Sequence, residues 1–265
     1  MSSPASATVA KFTRGKTERD LRVDTAAAYR LIAMFGMDDL LATHISCRLS
    51  GEPFRFLLNP YGLLFEEITA SSLVVLDMNG NLVGDSKQQP NPYGFAIHAA
   101  VQKVRPDAKC VIHTHTQPGM AVAAMADGLL SLNQMSMMFH NRVAYYDYEE
   151  LNVELDPEKK LKAEEDEQER IGQALGDKHC LIMRNHGLLT VGETMADAFH
   201  RMYYLEQSCK IQMNTLACNT KILLPSDQTA EAIAVIEEND PRPRAQNTWD
   251  ALLRKLDHID PSFRN

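Results

Sequence analysis

The sequence predicts one mixed α/β domain, and three observations carry that prediction. Strand-like runs separated by turn chemistry crowd residues 43–80, and apolar patterns of helical period occupy 17–35, 93–104 and 194–217. Two further apolar, β-forming runs, 108–113 and 181–186, each end in a histidine. At 265 residues and 45% hydrophobic content the chain has ample material for a single core.

Taken in order, Leu21, Ala26, Tyr29, Ile32 and Met34 recur at near-helical spacing in an Ala-rich context, and Gly36 supplies a stop. Residues 43–49 alternate, a Ser-Gly-Glu-Pro turn follows, and Phe54–Leu58 completes a hairpin. Asn59-Pro60-Tyr61-Gly62 fits a turn with proline at its second position, and Leu73–Asp77 before Asn79-Gly80 predicts another hairpin. Tyr93–Val104 is helical and stops before Arg105-Pro106-Asp107. After the first histidine strand, residues 117–126 form a helix of small residues, suited to close packing against a sheet or a subunit. The Met-rich run 129–140 carries no clear period, and Val143–Tyr148 fits a strand. The acidic run of Glu164, Glu165, Asp166, Glu167 and Glu169 is the solvated face of a helix ending near Leu175-Gly176 rather than a carboxylate cluster for metal. A long helix from about Thr194 to Ala217 shows one apolar stripe, and after the break at 239–244 a short amphipathic helix spans Trp249–Leu256, of a kind that docks on a neighbouring subunit. The expected organisation is a tail over 1–17, one domain over 18–225 and a helical extension over 226–265.

Composition narrows the function. A net charge of -8 and a pI near 5.6 argue against nucleic acid and anionic membranes as partners and leave a small molecule. The five cysteines are odd in number, scattered and mostly flanked by apolar residues, which reads as buried thiols in a reducing compartment. With no membrane-spanning run and no signal peptide, the expected location is the cytoplasm.

The chemistry points to the histidines. His113 and His115 lie two apart on a strand, on one face and roughly 6 to 7 Å from each other, within reach of one ion. His186, at the end of the second histidine run and before Gly187, supplies a third imidazole. Three neutral imidazoles with an open position suit a catalytic divalent metal, one per subunit, with zinc first and manganese or iron as alternatives.

Asn59-Pro60-Tyr61-Gly62-Leu63-Leu64-Phe65 with Thr69–Leu73, Arg105-Pro106-Asp107 through His113-Thr114-His115-Thr116, and Arg184-Asn185-His186-Gly187-Leu188 with Val191-Gly192-Glu193 resemble the class II aldolase/adducin family over about residues 20–218. The likeness is nearest to the adducin head domain and its bacterial relatives. It implies a three-layer α/β fold, with a central, mainly antiparallel sheet and helices on both faces, and a C4 homotetramer with active sites between subunits. It places the family's metal ligands on the same residues, His113, His115 and His186. Asn59, Gly62 and Tyr93 fall among the substrate contacts, and Tyr146 near the aldolases' acid tyrosine. Two departures stand out. The aldolase base, a glutamate, falls on Gly94, which cannot abstract a proton, and the phosphate-gripping Gly-Asn reads Thr43-His44.

The expected function is therefore a metal-dependent carbon–carbon lyase of the decarboxylase type, acting on a small non-phosphorylated oxo or hydroxy acid, because decarboxylation needs no initial proton abstraction from carbon. His44 and Tyr146 are its candidate proton donors. The alternatives are a non-catalytic, adducin-head-like interaction module of the actin-cytoskeleton type, and a true aldolase with another base such as Glu193.

Overall fold

The computed structural model describes residues 16–147 and 157–265; the side chains of 92–93 and 157–165 fall outside the described residues, as do most of the expected tail and Tyr148. The elements are α1 (Glu18–Met34), β1 (His44–Arg48), β2 (Arg55–Leu58), β3 (Val74–Asp77), α2 (Pro92–Val104), β4 (Cys110–Thr114), α3 (Gln117–Ala123), α4 (Gln134–Met137), β5 (Val143–Tyr146), α5 (Pro157–Leu175), β6 (Cys180–Met183), β7 (Gly187–Gly192), α6 (Met195–Ala217), α7 (Asp227–Glu238) and α8 (Arg244–Ile259).

The strands form one seven-stranded sheet in the order β3-β2-β1-β4-β7-β6-β5. Every neighbouring pair is antiparallel except β5 and β6. Because side chains alternate along a strand, each buried strand feeds two cores. Ile45, Cys47, Ile112 and Ile182 pack with α1, α6 and α8 on one face. Val111, Leu181, Met183, Leu189 and Val191 pack with Ala100 and Val101 of α2 and with Ile171 and Leu175 of α5 on the other. The sheet is thus covered by helices on both sides, as expected.

The helices start where their caps permit. Thr17 Oγ accepts from Asp20 N at 3.2 Å while Thr17 N donates to Asp20 Oδ2 at 2.8 Å, a reciprocal box that opens α1; Thr194 and Asp197 repeat it on α6. Gly36, at φ +63°, ends α1 as its position in the sequence predicts.

Three elements differ from the sequence reading. The pattern does not mark β7, because it is buried along its whole length and lacks the polar alternation of a half-exposed strand. The helix α7 is covered only by the general expectation of a helical extension. The helix α8 begins five residues before Trp249 and runs past Leu256, and its apolar face lies on its own chain: Trp249 is fully buried, packs with its ring centroid 5.6 Å from that of Phe199 and donates from Nε1 to Asp24 Oδ1 at 3.1 Å. On α5, Asp166 and Glu169 are exposed as predicted and Glu167 is half-buried, while the side chains of Glu164 and Glu165 lie outside the described residues.

Candidate metal centre

Antiparallel pairing gathers the three histidines at one end of the central strands. His113 is the fourth residue of β4, opposite His44 of β1 and Leu189 of β7. His115 lies just beyond the end of β4, and His186 lies in the turn between β6 and β7 rather than on a strand. That turn is made by Asn185 at φ +55°, a left-handed conformation that asparagine tolerates, and by Gly187. A Cβ on Gly187 would meet the main-chain oxygen of Thr114 at 2.4 Å and His115 Cδ2 at 3.0 Å, so only glycine lets the turn close onto β4.

The three Nε2 atoms converge: His113 to His115 is 2.8 Å, His115 to His186 is 2.8 Å and His113 to His186 is 3.2 Å. Ligands at about 2.05 Å from an ion in tetrahedral array stand about 3.3 Å apart, close to this spacing. The outer nitrogens fix the tautomers of two of the rings. His113 Nδ1 donates to the Leu188 carbonyl at 2.9 Å and His115 Nδ1 donates to Asp39 Oδ2 at 3.2 Å, which leaves both Nε2 lone pairs facing inward. Burial, with His44, His186 and His115 adding like charge, pushes the His113 imidazole well below its ordinary pKa; burial and then His115 bring His186 down to about 4. Both rings are therefore neutral at pH 7, the form that binds metal. Lone pairs aimed at one point repel each other, and a cation between them removes that repulsion, so the donor set fits a divalent metal. Sequence reasoning misses Asp39, because an acid in the loop after α1 carries no spacing signal. Replacing Asp39 with alanine should weaken zinc binding about 10- to 100-fold in a calorimetric titration, the usual effect of losing such an outer partner.

The other predicted residues are distributed unevenly. His44 is 1% exposed, its ring centroid 5.0 Å from that of His113. Burial, and next His98, hold its pKa well below the ordinary value. Tyr146 lies three strands from β4, roughly 14 Å across the sheet at about 4.8 Å per strand, with its ring in the cluster under α5. Asn59 is turned into the core, where its Oδ1 accepts from Tyr29 Oη at 2.9 Å, and Gly62 sits in an exposed turn at φ +97°. Tyr93 is the second residue of α2, its side chain outside the described residues. Glu193 lies at the opposite end of β4 and β7 from the histidines, 3.2 Å from Lys109.

Gly94 packs directly on His44: a Cβ there would stand 3.0 Å from His44 Cγ and 3.2 Å from Leu58 Cδ1. The ring of His44 thus fills the space into which a longer side chain at 94 would grow. His98, on α2, is fully buried with Nε2 2.6 Å from His44 Nδ1 and Nδ1 2.5 Å from Ser46 Oγ. Its neighbours Ser46, Arg48 and Gln102 escape the sequence reading although a signal is present: 44, 46 and 48 alternate onto one face of β1, and 98 and 102 lie one turn apart on α2.

The chain matches the Class II Aldolase and Adducin N-terminal domain over residues 23–213. It is 42% identical over 251 residues to a Pseudomonas aeruginosa protein provisionally named an aldolase class 2 protein, covering 93% of each chain. It is 38% identical over 259 residues to alpha-adducin of Rattus norvegicus, covering 92% of this chain and 34% of the adducin. Among solved structures, an aldolase II superfamily protein from Pseudomonas syringae superposes with a TM-score of 0.84 at 39% identity, over 96% of this chain and 99% of that one. An L-fuculose 1-phosphate aldolase from Glaciozyma antarctica superposes with a TM-score of 0.77 at 25% identity, over 97% and 99%. The chain belongs to the class II aldolase and adducin family.

Proposed function

We propose that this protein is a metal-dependent carbon–carbon lyase acting on a small, non-phosphorylated oxo or hydroxy acid, by decarboxylation or a related cleavage. The observation that carries the reading is the convergence of His113, His115 and His186 Nε2 within 3.2 Å of one another, with outer hydrogen bonds that turn the His113 and His115 lone pairs inward. A divalent ion held there, zinc first and manganese or iron next, supplies Lewis-acid stabilisation of the negative charge that carbon–carbon cleavage leaves on the substrate. His44 is the polar group best placed beside it. Asn59 and Gly62, in the loop after β2, and Tyr93, in the first turn of α2, are the residues that would flank the substrate, and Tyr146 serves only if the substrate extends toward β5. A glycine at position 94, in place of a carboxylate, favours decarboxylation over aldol chemistry, because the first needs no base at carbon.

The working assembly in this reading is a cytoplasmic homotetramer, with residues 18–225 as its family domain and 226–265 as an extension. The 38% identity to alpha-adducin supports a second reading, a non-catalytic oligomerisation module. Protein loaded in turn with zinc, manganese and iron should release carbon dioxide from at least one member of a panel of small oxo and hydroxy acids, and the His186→Ala variant should not. Metal uptake with no turnover across the panel would favour the second reading, and cleavage to an aldehyde without carbon dioxide would favour an aldolase.

A further inference from the structure

Arg48, Gln102, Ser46, His98 and His44 form a line of polar side chains, none more than 7% exposed, that runs along β1 and α2 to the histidine cluster. The line has a direction because its first member can only donate. Arg48 Nε donates to Gln102 Oε1 at 3.4 Å, and its Nη2 to the Gln102 main-chain oxygen. This turns the carboxamide NH2 toward Ser46, and Gln102 Nε2 donates to Ser46 Oγ at 3.0 Å. The Ser46 side chain is fully buried and its hydroxyl meets two partners, Gln102 and His98 Nδ1. Since it accepts from the first it donates to the second; the opposite arrangement would strand a buried hydroxyl hydrogen. His98 Nδ1 is then an acceptor, its hydrogen sits on Nε2, and that N–H donates to His44 Nδ1 at 2.6 Å. A neutral His44 in turn carries its hydrogen on Nε2. That atom has no hydrogen-bond partner among the described residues, although the residue is only 1% exposed and its ring lies against His113.

We propose that this line fixes His44 as an Nε2–H hydrogen-bond donor to an anionic oxygen of the substrate, either its carboxylate or the oxygen on which charge collects during cleavage. It is thereby not a fourth metal ligand and not a base through that nitrogen. A neutral imidazole used as a donor is an established way to stabilise such charge. The position of the oxygen rests on the metal-centre reading above; the tautomer of His44 does not.

Side-chain proton–nitrogen spectra of histidine-labelled, metal-free protein at neutral pH read the tautomers directly. His44 and His98 should both show the Nε2–H form, and an Nδ1–H form of His44 overturns the proposal. Gln102→Glu reverses the anchor: a carboxylate accepts from both Arg48 and Ser46, the serine turns, and both rings should move to Nδ1–H. Retention of Nε2–H in that variant likewise overturns it. Should Gln102→Glu fail to fold, Ser46→Ala removes the donor to His98 Nδ1, and both tautomers of His44 should then be populated; a single unchanged tautomer contradicts the line's control. Oxalate serves as the anionic probe on zinc-loaded protein, and His44→Phe should bind it about tenfold more weakly than wild type. Equal affinity overturns the donor role. Failure of the wild-type protein to take up zinc contradicts the metal centre instead, and the tautomer spectra of metal-free protein then decide the hydrogen-bonded line separately.

Discussion

His113→Ala should lose nearly all bound metal while keeping its fold. Of the three histidines, His113 is held from the most sides: it lies at the centre of the sheet, pairs with β1 and β7, and is oriented by the Leu188 carbonyl at 2.9 Å. Removing it leaves two imidazoles on separate segments, one beyond β4 and one in the β6–β7 turn, and two ligands forfeit much of a chelate's binding free energy. The sheet itself does not need the ion. Both faces are closed by apolar clusters that contain no ligand residue, so the variant's melting temperature should fall by only about a few degrees, mostly from lost ligand stabilisation. Plasma mass spectrometry and a thermal melt check the two halves. Metal retained at wild-type level, or a collapse of the fold, would contradict the assignment. His98→Ala is the informative control, since His98 is bonded to His44 and Ser46 and should leave metal content intact.

Gly187→Ala should damage both stability and metal binding although it changes no ligand. The added methyl would stand 2.4 Å from the Thr114 carbonyl oxygen, a main-chain atom between two of the ligands, which a side-chain rotation cannot relieve. Either β7 moves away from β4, breaking the pairing of Thr114 with Leu188, or the peptide between His113 and His115 shifts. Overpacking of this kind costs about 1–3 kcal/mol, which lowers the melting temperature by several degrees. Ligands must stay within about 0.5 Å of their positions, so zinc affinity should drop by at least about a hundredfold. Wild-type values in both measurements would show that the close approach of the turn to β4 is not what forms the site.

The histidine triad is legible in the sequence because its signal is local. Each of the two apolar runs leads into its histidines, and the rings need only be placed at one end of neighbouring strands for their nitrogens to meet. The strand order is not legible from spacing. β4 lies between β1 and β7 through pairings such as His44 with His113 and Thr114 with Leu188, which are far apart in the chain, and no local pattern reports them. β7 escapes because a strand buried on both faces loses its alternation. Asp39 and the Arg48–Gln102–Ser46–His98 line escape for a different reason. Their meaning lies in which atom donates to which, and that depends on side chains brought together across 52 to 76 residues of chain. Gly94 is legible only as a missing glutamate; that its space is filled by the His44 ring is a fact of packing.

The most direct test of the metal centre is an anomalous X-ray scan on crystals of protein purified without a metal-chelating tag. One peak per subunit is expected at a transition-metal edge, about 2.0–2.1 Å from the Nε2 atoms of His113, His115 and His186 together. A peak held by only two of them, one that includes His44 or His98, or no peak in protein soaked with zinc would contradict the three-histidine site.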